Sequence, residues 1–87
     1  MNQFTNNRIV QIDFDASVVG TLSGFCKELL LTSTEACYIR INQATVTVAN
    51  GYFIPADTSV KIPITQADTI SAIKETTAGK LTILELF

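Results

Sequence analysis

Short segments of alternating apolar and polar residues constrain the fold of this chain more than any other feature. In residues 8–14, Val10, Ile12 and Phe14 occupy every second position, with polar side chains between them. Successive side chains of a β-strand point to opposite faces, so this period of two indicates a strand with one buried face. Similar segments recur at the spacing of roughly 8–12 residues that is typical of all-β proteins. The chain is therefore predicted to be all-β.

The same pattern predicts seven or eight short antiparallel strands along the chain. Asn50-Gly51 is the strongest turn signal, because both residues tolerate a positive φ angle. Pro63 indicates an edge strand or a bulge, since it lacks a backbone N–H. Residues 16–24 are rich in Gly, Ser and Thr and are predicted to form a loop. Residues 27–31 would suit a helix, but that helix would be short, and a strand is favoured. The expected strands are 8–14, 25–32, 37–42, 45–48, 52–54, 59–64, 69–74 and 80–86.

These strands predict a single small β-sandwich, or jelly-roll-like domain, in which two sheets share one core. The domain is expected to span residues 8–87, after a flexible polar arm at residues 1–7. A chain of 87 residues buries only about 60–65% of its unfolded surface and is marginally stable for that reason.

The chain has more apolar side chains than so small a core needs. Hydrophobic residues make up 47% of the sequence and charged residues only 16%. The last predicted strand is apolar on both faces, because Leu81 and Ile83 alternate with Leu84 and Leu86, and Phe87 follows. One face of this strand can pack into the core, and the other face must be covered by another segment of the chain or by another subunit. We therefore expect a homo-oligomer or a subunit of a larger assembly.

Charge and hydropathy argue against two classes of partner. The formal net charge is −2, and the six Lys and Arg residues are scattered, which argues against a protein that neutralises nucleic-acid phosphates. The longest strictly apolar run, at residues 29–31, is far shorter than the roughly 20 residues of a membrane-spanning helix. The polar start at residues 1–7 lacks the pattern of a signal peptide, so we expect synthesis in a cytoplasm.

Residues that could carry catalysis are scarce. The chain has no His, which excludes His-based triads, general bases and zinc sites. Cys26 and Cys37 are expected to be buried free thiols. Asp13 and Asp15 would share one face of a strand, and a solvated face is favoured over a calcium or acid–base site. The sequence thus predicts a protein that is not an enzyme and holds no metal or cofactor.

Five segments in the second half of the chain have a recognisable pattern: YIRIN at 38–42, FIPA at 53–56, IPI at 62–64, TISAI at 69–73 and GKLTILEL at 79–86. Together they resemble small accessory virion proteins of tailed bacteriophages. In such proteins, an aromatic strand with a central Arg precedes an Ile-Pro-Ala-Gly turn, an Ile-Ser-Ala-Ile strand and a final hairpin into a Leu-x-Ile-x-Glu strand. The similarity covers residues 37–87, and Asp57 stands where a glycine is usual after Pro-Ala.

This resemblance implies a decoration or cement protein, or the base of a head fibre, on the capsid exterior. Its partner would be the major capsid protein, and a homotrimer at a symmetry position is favoured among the oligomers. We expect the polar arm to bind along the surface of a neighbouring subunit. The apolar C-terminal strand is expected to make the remaining contacts with partner proteins. The candidate contact residues are Asn2, Gln3, Phe4, Thr5, Asn6, Asn7, Arg8, Leu84, Leu86 and Phe87.

Two alternatives remain open on the sequence. One is a lectin-like module that binds a ligand at a shallow site, with Tyr52 or Phe53 exposed beside Asn50. The other is a subunit of a tail, a connector or a fibre adaptor, which the sequence separates poorly from a decoration protein.

Overall fold

The computed structural model describes residues 8–64 and 66–86, and these residues contain no helix. No segment of this part of the chain thus qualifies as a membrane-crossing helix by length and apolarity. Eight strands account for most of the described residues. They are β1 (Arg8–Phe14), β2 (Val18–Thr21), β3 (Glu28–Ser33), β4 (Cys37–Ile41), β5 (Tyr52–Ile54), β6 (Ser59–Pro63), β7 (Thr69–Lys74) and β8 (Gly79–Leu86).

The eight strands form two four-stranded antiparallel sheets. Sheet A has the order β1-β8-β3-β6, and sheet B has the order β2-β7-β4-β5. Except for β4 and β5, consecutive strands belong to opposite sheets, so the chain crosses the core repeatedly. This eight-stranded order is the jelly-roll topology of two nested Greek keys. The predicted all-β, jelly-roll-like class is therefore confirmed.

The core lies between the sheets and is built by the central strands. In sheet A, Ile83 of β8 stands between Val10 of β1 and Leu31 of β3. In sheet B, Ile39 of β4 stands beside Ala72 of β7. Ile83, Leu31, Ile39 and Ala72 are all buried, which is the burial that the period of two predicts for one face of each strand.

The loop predicted at residues 16–24 is wrong in its centre, because Val18–Thr21 form strand β2. This short strand pairs with β7 at the edge of sheet B, with Gly20 opposite Ile70. Gly20 is buried, and a Cβ atom there would lie 2.8 Å from Cγ2 of Ile12 in β1. The glycine that looked like a loop signal is a point of close approach between the two sheets.

The strand predicted at residues 45–48 is also wrong, because this segment belongs to a long loop between β4 and β5. The carbonyl oxygen of Thr47 accepts hydrogen bonds from the backbone N–H groups of Asn50 and Gly51, at 3.2 and 3.0 Å. Asn50 Oδ1 in turn accepts from the Thr47 N–H at 2.8 Å. Neither Asn50 nor Gly51 has a positive φ angle. The chain does turn at Asn50-Gly51, but without the backbone conformation that the dipeptide predicted.

Strand β3 begins at Glu28, three residues later than predicted, and β6 confirms the edge position of Pro63. The N–H of Ile64 donates to the Lys27 carbonyl at 2.9 Å, so alternate N–H groups of β6 face β3. Pro63 lies out of phase with Ile64 and faces the free edge, where no N–H is needed. Asp57 has a φ of 55°, the left-handed conformation that suits the glycine it replaces in the resemblance.

Candidate binding surfaces

The outer face of sheet A carries a row of apolar side chains that crosses three strands. Ile9 of β1 pairs with Leu84 of β8, and Leu84 pairs with Leu30 of β3. Ile9 is 65% exposed, and both leucines are half-buried. Leu86 is half-buried on the same face of β8, two residues beyond Leu84. We call Ile9, Leu30, Leu84 and Leu86 the apolar patch.

The patch occupies one end of the face, and the other end is polar. Thr82 of β8 pairs with Gln11 of β1 on one side and with Thr32 of β3 on the other. The Thr32 hydroxyl shares a hydrogen bond of 3.1 Å with the Ser59 hydroxyl of β6. This polar row bounds the apolar patch on one side, and two charged residues of the same face border it as well, since Lys61 pairs with Leu30 and Glu28 pairs with Leu86.

The outer face of sheet B differs, because the β4–β5 loop covers part of it. Val46 in that loop is only 1% exposed, although it lies outside the core between the sheets. Its N–H donates to Ser17 Oγ at 3.1 Å, which holds the loop against the start of β2. No comparable loop lies over the apolar patch in the described part of the chain.

The predicted contact residues lie in three different situations. Leu84 and Leu86 point outward, as predicted. Arg8 is engaged within the chain, since its Nη1 lies 3.0 Å from Oε2 of the fully buried Glu85. Residues 2–7 and Phe87 lie outside the described residues, so their predicted contacts and the predicted arm remain predictions.

Sequence reasoning missed Ile9 and Leu30 as members of the patch. Both carried a usable signal, because Ile9 is out of phase with Val10 and Leu30 lies between Leu29 and Leu31. An apolar residue at an outward position of a strand contributes nothing to its own core. The strand register that places both residues beside Leu84 could not be predicted from the sequence alone.

A cleft of about 470 Å³ opens where the two sheets part. Strand β5 is an edge of sheet B and β6 is an edge of sheet A, and the cleft lies between them. Isoleucines of β4 and β6 give it apolar walls, and polar groups come from both sheets and the β4–β5 loop. The lining residues are Ile39, Arg40, Ile41, Asn50, Tyr52, Lys61, Ile62 and Pro63.

The residues predicted for a ligand site do not all lie together. Asn50 and Tyr52 both line the cleft, and Tyr52 is 60% exposed. Phe53 follows Tyr52 in β5 and points to the outer face of sheet B. There its ring packs against Tyr38, with the ring centroids 5.3 Å apart. The cleft therefore contains two of the three predicted ligand residues.

The two cysteines are separate, buried free thiols. Burial raises the pKa of Cys26, and the carboxylate of Glu85 raises it further. Burial also raises the pKa of Cys37, whose hydrogen bond with the Ser33 hydroxyl acts in the opposite direction. Neither thiol has the lowered pKa that activates a nucleophilic cysteine. Within the described residues, no three Cys, Asp or Glu side chains come together as metal ligands would.

Comparison with known proteins supports the fold and leaves the function open. No family model matches the chain, and no curated protein matches it in sequence. Among solved structures, the chain is similar to a cupin-2 domain containing protein from Shewanella frigidimarina NCIMB 400. The similarity has a TM-score of 0.53 and covers 100% of this chain and 74% of that chain, at 12% sequence identity. At this identity the similarity shows a shared all-β fold and nothing more.

Proposed function

We propose that this chain is a structural protein of a tailed-phage virion that decorates the capsid exterior by binding the major capsid protein. The observation that carries the proposal is the apolar patch on the outer face of sheet A. The resemblance of residues 37–87 to accessory virion proteins supplies the choice of partner.

The physics of such a role matches what the patch offers. Each large aliphatic side chain that passes from water into a contact contributes about 1.5–3 kcal/mol. The four residues of the patch lie on paired strands, so little conformational entropy is lost when they are covered. A protein that binds only the assembled shell stabilises the shell by mass action and needs no catalytic group.

In this proposal, copies of the chain contact one another through the outer face of sheet B, on the side of the molecule opposite the apolar patch. Val19 of β2 and Phe53 of β5 are exposed on the outer side of sheet B, and Val48 is exposed in the β4–β5 loop. A homo-oligomer, with a trimer favoured, would cover these side chains and leave the apolar patch free for the capsid.

The test of capsid binding uses one substitution in the patch and one matched control outside it. Leu84→Lys places a charge in the centre of the patch, and Thr82→Lys places the same charge on the same strand and face at the polar end. Purified variants are sedimented with capsids of the phage whose genome encodes the chain. We expect Leu84→Lys to lose at least tenfold in affinity, because the contact would bury an unpaired charge. Thr82→Lys should bind as the unmodified chain does.

Equal binding by Leu84→Lys and the unmodified chain would remove the patch from the interface. Absence of the chain from purified particles would refute the virion role itself. Light scattering of the isolated protein tests the oligomer, and a monomer at every accessible concentration would contradict it. Counting copies per particle separates a decoration protein from a tail, connector or fibre-adaptor subunit, since a connector is present in far fewer copies.

The cleft favours a second candidate function, a module that binds a saccharide. Ligand sites are typically concave and mostly apolar, with a few convergent polar groups, and a volume of about 470 Å³ is within their usual range. The exposed ring of Tyr52 offers a flat surface for the C–H face of a sugar. The Asn50 amide offers a donor and an acceptor for sugar hydroxyls. A panel of immobilised glycans tests this candidate, and failure to bind any of them would refute it.

A further inference from the structure

We propose that the capsid partner adds an extended segment of its own chain to sheet A as a fifth strand, at the free edge of β1. This inference rests on the proposed capsid function and states how that contact is made. Main-chain hydrogen bonds hold the added strand, and its side chains lie beside the apolar patch.

The backbone groups on the free edge of β1 follow from the hydrogen bonds of β8. Among the described strands, β1 pairs with β8 alone. The carbonyls of Lys80 and Leu86 in β8 accept from the N–H groups of Thr34 and Lys27, which flank β3, at 3.0 and 2.7 Å. Backbone groups alternate in direction along a strand, so residues 81, 83 and 85 face β1, where they pair with residues 12, 10 and 8. The N–H and C=O groups of residues 9, 11 and 13 therefore point to the free edge.

Among the four edge strands, β1 is the best suited to receive a strand from a partner. It has seven residues, no Pro and an uninterrupted register with β8. The edge strand β6 contains Pro63, and the edge strands β5 and β2 have only three and four residues. Short length, proline and bulges are common protections of a sheet edge against strand addition. Within the described residues, β1 has none of these three.

Ile9 gives this edge an apolar side chain that lacks a neighbour on one side. Across sheet A, Leu30 pairs with Leu84 and Leu84 pairs with Ile9, where the row ends. Ile9 is 65% exposed, whereas Leu84 has a strand on either side and is half-buried. A strand added beside β1 places a side chain directly opposite Ile9, at the spacing of a cross-strand pair. An apolar residue at that position continues the row into the partner.

The side chains along the edge favour a different protein over a second copy of the chain. Ile9, Gln11 and Asp13 share the outer face and are apolar, polar and acidic in that order. Two copies related by a twofold axis would pair β1 antiparallel with itself. A register centred on Gln11 or on Val10 places Ile9 opposite Asp13 or Gln11 of the other copy. A register centred on Ile9 pairs only residues 8–10 of the described strand. Self-pairing therefore leaves Ile9 poorly matched or the ladder short.

The segment that matches this edge carries an apolar residue opposite Ile9 and a Lys or Arg opposite Asp13. Asp13 is exposed and takes part in no ion pair within the described residues, although Lys80 stands opposite it on the β8 side. Opposite charges in directly opposed positions stabilise a strand pair. Because Ile9 and Asp13 are four residues apart, the apolar and the basic residue of the partner are four residues apart as well.

Hydrogen exchange measures whether the edge groups become bonded on the capsid. The 15N-labelled chain, free or bound to capsids of the phage whose genome encodes it, is placed in D2O, quenched, released and read by NMR. We expect the N–H groups of Ile9, Gln11 and Asp13 to exchange at least about tenfold more slowly in the bound chain. The N–H of Thr21 is the control and should exchange equally in both. It faces the free edge of β2, because the next N–H along the chain donates to the Asp68 carbonyl on the side of β7.

A proline at each of two free edges separates strand addition from simple coverage. Gln11→Pro removes an N–H from the free edge of β1 and leaves the bonds to β8 in place. Thr21→Pro makes the same change at the free edge of β2. In sedimentation with capsids, we expect Gln11→Pro to bind at least about tenfold more weakly than the unmodified chain. Thr21→Pro should bind as the unmodified chain does, and circular dichroism verifies that both variants are folded.

The other outcomes overturn the inference in distinguishable ways. If the unmodified chain does not sediment with capsids, the inference fails together with the proposed function. If it sediments but the edge N–H groups exchange as in the free chain, or if folded Gln11→Pro binds normally, strand addition is wrong and the patch contact stands. Slow exchange of the same groups in the concentrated chain without capsids would identify a second copy as the occupant. If Gln11→Pro does not fold, the exchange rates of the unmodified chain decide alone.

Discussion

Glu85 is a charged residue in a fully buried position, where an apolar side chain would be expected. It lies in phase with Leu81 and Ile83 on the core side of β8 and is 0% exposed. Its two carboxylate oxygens are both satisfied, one by Arg8 at 3.0 Å and the other by the N–H of Ser23 at 2.8 Å. Buried charges persist where they are paired and hydrogen-bonded. Glu85 thereby ties the start of β1 and the β2–β3 loop to the end of β8.

Removing the Arg8 side chain should destabilise the chain more than its half-exposed position suggests. Arg8→Ala leaves the buried Glu85 carboxylate without its cation, and we expect a loss of about 2 kcal/mol in the free energy of unfolding. Urea denaturation measures this loss. Lys80→Ala, which removes an exposed cation from the same sheet, is the control and should change stability by less than about 0.5 kcal/mol. Equal stability of both variants would show that the ion pair contributes nothing.

The two buried thiols should make the stability of the chain depend on alkaline pH. Because burial raises the pKa of Cys26 and Cys37, the unfolded chain loses these protons at lower pH than the folded chain does. The thiols' contribution is complete below the unfolded pKa and is lost as pH rises through the folded pKa. Urea midpoints of the unmodified chain should therefore fall more steeply above about pH 8.5 than those of the Cys26→Ala/Cys37→Ala variant. Parallel pH profiles would contradict this.

At the scale of elements, the β4–β5 loop behaves as part of the packed structure. The loop begins at Asn42, which has a φ of 61°. The side chain of Asn42 makes hydrogen bonds to the segment that precedes β7. Its Nδ2 donates to the Gln66 carbonyl at 2.8 Å, and its Oδ1 accepts from the Asp68 N–H at 2.7 Å. Val46 then packs onto the outside of sheet B, and Gly51 returns the chain into β5. The loop thus gives sheet B a partial second layer, and no described segment gives sheet A a comparable one.

Gly51 is the position where this loop is most sensitive to substitution. A Cβ atom there would lie 2.6 Å from Cβ of Tyr38 and 2.8 Å from Cγ2 of Val46. Gly51→Ala should push the loop off sheet B and cost about 1–3 kcal/mol of stability, as overpacking does. Ala49→Ser, at an exposed position of the same loop, is the control and should be neutral. Thermal unfolding by circular dichroism compares the two, and an unchanged midpoint for Gly51→Ala would show that the loop shifts freely.

At the scale of the whole molecule, the path of the chain makes the two sheets one cooperative unit. Most connections run from one sheet to the other, so neither sheet is a continuous stretch of sequence. The inner faces share one core cluster that contains Leu31 and Ile83 from sheet A and Ile39 and Ile70 from sheet B. Loss of either sheet would expose the inner face of the other. We therefore expect two-state unfolding.

The position of the tyrosines allows a direct test of this cooperativity. Tyr38 and Tyr52 both belong to sheet B and the chain has no Trp, so intrinsic fluorescence reports on sheet B. Leu31→Ala, in the buried face of sheet A, should cost about 2–5 kcal/mol. It should shift the fluorescence transition and the circular dichroism transition by the same amount. A fluorescence transition that stays in place would show that sheet B unfolds independently.

Local sequence determined the strands with the clearest alternation. Residues 8–14 and 69–74 form strands with the predicted bounds, and Pro63 lies at a sheet edge as predicted. It also determined that one side of the last strand faces outward, because the period of two follows from backbone geometry alone. The outward position of Leu84 and Leu86 could be predicted for this reason.

Tertiary structure decided everything that depends on a partner distant in sequence. Residues 45–48 have the composition of a strand but pair with none of the strands in residues 8–64 and 66–86. Residues 18–21 pair with β7 and form a strand despite their loop-like composition. The same holds for the surfaces. Ile9 and Leu30 join Leu84 only through the order of strands in sheet A, and Tyr52 of β5 meets Ile62 of β6 at one cleft only because the two sheets part there. Side-chain alternation is a property of neighbouring residues, but hydrogen-bonded pairing and shared clefts form between residues that the sequence keeps apart.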